Sequence, residues 1–203
     1  MTKNPIVFSF RSFFHPFATF QSLAGTELSP RAVFFSYALW LLLLPPLFSW
    51  LGAYASGWHL GAKEPLVLTP KSLTIVSIGY FLLLMFGFVS TAIISRWMAG
   101  TYGASRSLGL HFALVAIVGT PLALASVAHL FPHVFFNVLV LIPTMIWSMY
   151  LLYRGLPIIL QTPPERGMLM ASSLVAWLLV AAVSLLGISM ALWTAGVGPF
   201  LGV

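Results

Sequence analysis

His129 and His133 bracket the residues Leu-Phe-Pro between two long apolar runs, and His59 lies in a separate polar link. Three imidazoles are enough to hold zinc, so a metal site is the first chemistry to weigh. Pro132 falls between the paired histidines, and helical i, i+4 geometry is therefore not assured. Histidines at a membrane interface without a metal are the commoner case. Ser105 and His111 offer a nucleophile and a base, yet no orienting acid or oxyanion motif accompanies them. His111 and Asn137 lie within apolar runs and read as hydrogen-bonding groups between helices. The acid inventory closes most other routes. There is no Asp, and Glu27, Glu64 and Glu165 all lie outside the apolar runs. That removes the paired carboxylates of general acid–base work, the acid cluster that holds magnesium on phosphate, and the intramembrane acid usual in proton-coupled transport. Cysteine is absent, which excludes thiolate chemistry, disulfides and Cys-ligated metals. The expectation is a non-enzymatic chain with no cofactor, no metal and no catalytic residue.

The remaining polar chemistry is concentrated in one stretch, YLLYRGLPIILQTPPERG, from Tyr150 to Gly167. Only 12 residues of the chain are charged (9 Lys+Arg, 3 Asp+Glu), yet Arg154, Glu165 and Arg166 fall here, with Pro157, Pro163 and Pro164. Arg154, Gly155, Pro157, Pro163, Pro164, Glu165 and Arg166 form the candidate site for lipid headgroups or a partner. Tyr150 and Tyr153 suit the headgroup level, and Arg154 snorkels towards lipid phosphates. Gly155 and Pro157 are expected to end one helix, with the apolar LPIIL lying back along the interface. Thr162 or the Pro163-Pro164 pair opens the next helix, with Glu165 in its first turn where the macrodipole favours an acid. The alternative is that the two arginines only fix topology.

The elements that position these residues follow from composition. The chain is 60% hydrophobic and 6% charged, with mean hydropathy +1.03; a soluble domain is about a quarter charged. Lipid must therefore be its solvent. The net charge of +6 does not imply nucleic acid, because the basic residues are scattered singly. Spanning the hydrocarbon takes about 20 apolar residues, and five stretches qualify: 32–54, 73–97, 108–130, 134–153 and 168–194. Only helices satisfy their backbone inside lipid without alternating strands. The fold class is an all-α integral membrane protein with five transmembrane helices. Residues 1–31 form an N-terminal segment, and 32–203 the five-helix domain. No small-residue cleavage site follows the first basic residues, so the first span acts as an uncleaved signal anchor.

Orientation follows from the basic residues. Lys3, Arg11, Arg31, Arg96, Arg106, Arg154 and Arg166 fall on one side, against Lys63 and Lys71 on the other. The N-terminus is expected in the cytoplasm and the C-terminus in the periplasm. In the N-terminal segment, Phe10, Phe13, Phe14, Phe17 and Phe20 share one face, and Arg11, Ser12, His15, Thr19 and Ser22 the other. This is the pattern of an interfacial amphipathic helix. Pro16 predicts a break, with the firm helix starting near His15. The same segment can equally pack on the bundle as a cap.

Within the spans, Pro45, Pro46, Gly119, Pro121 and Pro143 are candidate helix-break positions, with Thr120 and Thr144 beside them. An unwound stretch there would bind a substrate or ion; a kink that shapes the bundle is the commoner outcome. Gly79, Gly87, Ala176, Gly187 and Ala191 predict close helix contacts.

YLLYRGLPIILQTPPERG strongly resembles the motif after the fourth span in bacterial members of the YIP family, relatives of the eukaryotic Ypt/Rab-interacting membrane proteins. FFHPFATFQSLAG resembles that family's proline-containing opening. AGTYGASRS and VGTPLALAS match its Gly-containing second loop and Gly-Pro third span. The resemblance covers nearly the whole chain. It implies a five-helix integral membrane domain with a cytoplasmic N-terminus, in the bacterial inner membrane. The expected partners are anionic lipid headgroups, from the reading of Arg154, and membrane proteins or further copies of the chain. The eukaryotic relatives bear a long acidic tail linked with Rab-type GTPases; here only about 31 residues precede the first span and none forms an acidic run. The expected role is to organise membrane or protein partners, and the alternative is a small transporter or channel subunit built on proline-broken helices.

Overall fold

Of the six helices named below among the described residues, four open on a proline, which lacks the N–H that a first turn leaves unpaired and has its φ already set for a helix. The computed structural model describes residues 11–194, apart from 12, 60, 62, 63 and 106. Lys3, Lys63, Arg106, Phe10, Ser12 and the C-terminal stretch from 195 lie outside the described residues. The helices are α1, Pro16–Leu23; α2, Pro30–Ser56; α3, Pro70–Tyr102; α4, Leu108–Leu130; α5, Val134–Ile159; and α6, Pro164–Thr194. Helices α2 to α6 are long and apolar enough to cross a membrane. Among the described residues the only β pairing is two isolated bridges, Trp58 with Leu66 and His59 with His133.

The five expected spans are all present, and each but the third is longer than its apolar core. The extra turns reach past the hydrocarbon. At 33 residues, α3 is roughly 50 Å long, well beyond the ~30 Å of hydrocarbon, so it tilts or projects. Thr69 caps it by accepting a hydrogen bond from the Ser72 amide at 3.2 Å.

Helix α4 is the centre of the bundle. Of its most apolar window 61% is buried, against 33% or less in each other span. It packs on α2, α3 and α5, while α6 lies against α3 and α5. Two glycines permit the closest approaches. A Cβ on Gly109 would sit 1.8 Å from the Leu28 carbonyl oxygen, and one on Gly52 would sit 2.1 Å from that of His129. Gly79, Gly87 and Gly187 are different: a Cβ there meets nothing within 4 Å. The close contacts expected from their small size are not made; Gly87 instead lines a cavity inside the bundle.

The proline-bearing helices do not unwind. α2 runs through Pro45 and Pro46, α4 through Gly119 and Pro121, and α5 through Pro143 and Pro157. Hydroxyls beside two of these prolines bind back one turn, Thr120 to the Ala116 carbonyl at 2.8 Å and Thr144 to that of Val140 at 2.5 Å. The departures from α geometry lie elsewhere. Phe34–Ala38 is a π-helical turn in α2, and Ser126–Leu130 ends α4 as a 3₁₀ turn. The π turn carries Tyr37 fully into the core, where its hydroxyl meets that of Thr120 at 2.5 Å.

Candidate functional site

The stretch from Tyr150 to Gly167 is continuous with the bundle. α5 does not stop at Gly155 or Pro157 but runs on to Ile159. Leu156, Ile159 and Leu160 are fully buried, so the LPIIL segment is part of the core and does not lie back along an interface. Burying each such side chain is worth ~1.5–3 kcal/mol, together more than the ~3 kcal/mol that an internal proline costs. Gly155 is helical for a steric reason. A Cβ there would sit 2.2 Å from the Phe20 ring, so its absence lets α1 lie across α5. Phe20 is fully buried there, and Phe17 meets Tyr150 edge to face at 5.8 Å.

α1 begins at Pro16, after a non-helical His15, as the break at that proline predicts. Its polar face does not all look outward. Thr19 is fully buried and returns its hydroxyl to the His15 carbonyl at 3.1 Å. The helix is thus a cap docked on the bundle, with Phe14 still exposed.

The turn after α5 is held from three sides. Gln161 takes a positive φ of 52°, and Thr162 donates its hydroxyl to the Tyr102 carbonyl at 2.8 Å. The Ser105 amide donates to the Leu160 carbonyl at 2.8 Å. α6 then starts at Pro164 with Glu165 in its first turn, as its sequence predicts. Gly167 lies against Pro157: a Cβ there would come within 2.8 Å of the proline ring. Tyr153 and Ser172 bond at 2.9 Å, and Tyr102 and Ser173 at 3.0 Å. Arg166 lies over Gly103, the left-handed residue (φ 66°) that ends α3.

This knot carries an exposed basic surface. Arg11, Arg31, Arg96, Arg154 and Arg166 are exposed at this end of the bundle, with Glu27 and Glu165. Gly155 and Pro157 do not belong to that surface; they are positioning residues beneath it, and Pro163 and Pro164 are exposed beside it.

His111 lies just inside. Its Nε2–H donates to the Ser105 carbonyl at 2.8 Å, which leaves Nδ1 to accept from the Ser95 hydroxyl at 2.7 Å. The hydroxyl against the imidazole is therefore that of Ser95, and Ser105 contributes its backbone. Ser95 and His111 are both fully buried. The pair ties α3 to α4 and to the intervening loop, which is the interhelical role expected of His111.

At the opposite end, the three histidines do not converge. His59 and His133 stack with centroids 4.2 Å apart, held by the backbone bridge between them. His129 bonds instead to Asn137 at 2.5 Å, and the Asn137 amide donates to the Phe131 and His133 carbonyls. Among the described residues no three His, Cys, Asp or Glu side chains are grouped to hold a metal.

Between these ends lies a cavity of about 430 Å³, bordered by residues of all five spans and lined without a charged residue. Its lining includes Pro45 and Gly119. Thr91 lies in the wall, its buried hydroxyl without a hydrogen-bond partner, a state that costs ~1–3 kcal/mol.

The model of the Yip1 domain matches residues 10–197, taking in α1 and all five spans. The chain belongs to the Yip1 domain family. It is 26% identical over 160 residues to inner membrane protein YohC of Escherichia coli K12, across 79% of this chain and 82% of the relative. The YohC of Escherichia coli O6:H1 strain CFT073 is similar to the same extent. No solved structure matches. With five helices long enough to span, this Yip1-family chain is a multi-pass protein of the inner membrane.

Proposed function

We propose that this Yip1-family protein is a non-enzymatic organiser of the inner membrane, whose arginine-rich end faces the cytoplasm and gathers anionic lipid headgroups. The observation that carries this reading is the group of exposed arginines, Arg11, Arg31, Arg96, Arg154 and Arg166, at the end of the bundle where Thr162 and Ser105 tie the turn after α5 to the end of α3 and the loop that follows it. Exposed Lys and Arg near an anionic surface contribute ~1 kcal/mol each. A rigid base keeps them at one depth, and the two exposed acids do not cancel them. The buried Ser95–His111 pair has no acid to orient it and no opening for a substrate, which supports a structural role for the most enzyme-like constellation.

The test is extraction of the wild type and of a combined Arg31→Gln, Arg154→Gln, Arg166→Gln variant in polymer-bounded native discs, with quantitation of the lipids carried along. Enrichment of phosphatidylglycerol and cardiolipin around the wild type, lost in the variant, is the expected result. Equal lipid composition around both proteins overturns the reading. Solute flux in liposomes that Pro121→Ala or Pro143→Ala abolishes supports a transporter instead.

A further inference from the structure

The cavity at the centre of the bundle has a size, a lining and a mouth that together select an occupant. Its volume of about 430 Å³ falls in the ~300–1,000 Å³ range of small-molecule sites. Tyr80 and Thr91, both in its wall, are eleven residues apart on α3, or roughly 16 Å along the axis. A cavity of that length and an almost wholly apolar wall suit a flexible hydrocarbon chain. With no charged residue in the wall and only a few separate hydroxyls, an ion finds no counter-charge to offset the loss of its water. Leu141 of α5 and Leu178 of α6 line the cavity and are also exposed on the outer face of the bundle. Leu83 of α3 does the same, so the cavity reaches the outer face of the bundle sideways, where the hydrocarbon of the bilayer lies.

Tyr80 supplies the polar element. It lies near the end of the cavity away from the arginines, in the half of α3 that begins at Pro70. Its hydroxyl makes no hydrogen bond to any described residue. A phenol inside a membrane needs a partner, and the ester carbonyl of a phospholipid is the acceptor available at the edge of the hydrocarbon.

We propose that the cavity is a lipid site, in which one acyl chain of a phospholipid from the leaflet opposite the arginines enters from the side of the bundle and its ester oxygen accepts from Tyr80. The site is separate from the arginine surface, and its test does not depend on that surface.

The glycines of the wall permit a direct experiment. A Cβ on Gly87 or Gly119 meets nothing within 4 Å, and both residues line the cavity, so a larger side chain at either takes up its open space. Gly187, outside the cavity and equally unobstructed, is the control. The protein is reconstituted in liposomes containing phosphatidylglycerol with a diazirine on its acyl chain, irradiated and mapped by peptide mass spectrometry. Crosslinks to cavity-facing positions such as Gly119 and Leu122 are expected in the wild type and in Gly187→Leu. They should fall at least ten-fold in Gly119→Leu and Gly87→Leu, with helicity and melting unchanged. Tyr80→Phe should keep the crosslinked positions but lower lipid retention on detergent washing roughly two- to ten-fold, the range for one net hydrogen bond. Crosslinks confined to outward positions such as Phe135 and Leu139, or unchanged in both filled variants, overturn the proposal. Loss of the crosslinks in Gly187→Leu as well overturns it too, because the labelling would then report the bilayer and not the cavity.

Discussion

Phe20 of α1 occupies the volume that any side chain at position 155 would need: a Cβ on Gly155 would lie 2.2 Å from its ring. The contact joins the first described helix to the last turns of α5, 135 positions later in the chain (155 − 20). It also explains why the helix tolerates a glycine there. The entropic penalty of ~1 kcal/mol for glycine in a helix is small beside the burial of a phenyl ring.

Gly155→Ala should therefore destabilise the protein by ~1–3 kcal/mol through overpacking, and Phe20→Ala by ~3–5 kcal/mol through the cavity it leaves. The double variant should lose less than the sum, since removing the ring makes room for the methyl. Reversible unfolding in mixed micelles measures all three. Strict additivity would mean that Phe20 does not sit on Gly155.

The Ser95–His111 bond predicts a second coupling. Ser95→Ala leaves the Nδ1 of His111 without a donor and should cost ~1–3 kcal/mol. A cycle with His111→Ala should give an interaction energy of ~0.5–3 kcal/mol. Ser105→Ala should be nearly silent, because that residue meets the imidazole through its backbone carbonyl. A large loss from Ser105→Ala contradicts the assignment.

Hydrogen exchange in lipid nanodiscs tests the course of α5. Amides of Leu156, Ile158, Ile159 and Leu160 should be among the slow ones, as expected for helix in a packed core. Pro157→Ala supplies a missing donor and relieves part of the ~3 kcal/mol that an internal proline costs, so it should leave this exchange as slow or slower, whereas Gly167→Leu drives a side chain into the Pro157 ring and should speed exchange across the whole turn. Fast exchange over 156–160 in the wild type is the contrary result.

Membrane orientation is open to labelling, because the chain has no cysteine of its own. If the arginine-rich end faces the cytoplasm, a cysteine replacing Ser56, exposed at the other end, reacts with an impermeant maleimide added to intact cells. One replacing Ser105 reacts only after lysis. The reverse pattern inverts the topology.

The sequence alone determined the class and the number of spans. Runs of about 20 apolar residues have one low-energy state in lipid, and that rule needs no knowledge of neighbours. It also fixed the starts of α1 and α6, because a proline's missing N–H is a local property. The ends of helices were a different matter. Gly155 and Pro157 carry a local preference for stopping, and that preference was overridden by the burial of Leu156, Ile159 and Leu160, which depends on what packs against them. The same holds for the small residues: Gly109 and Gly155 are close contacts, Gly79 and Gly187 are not, and all four look alike along the chain. Which hydroxyl met His111, which histidine met His133, and the cavity beside Gly119 were decided only by tertiary structure. Each depends on residues far apart in sequence being brought to one depth, and side-chain identity does not encode that distance.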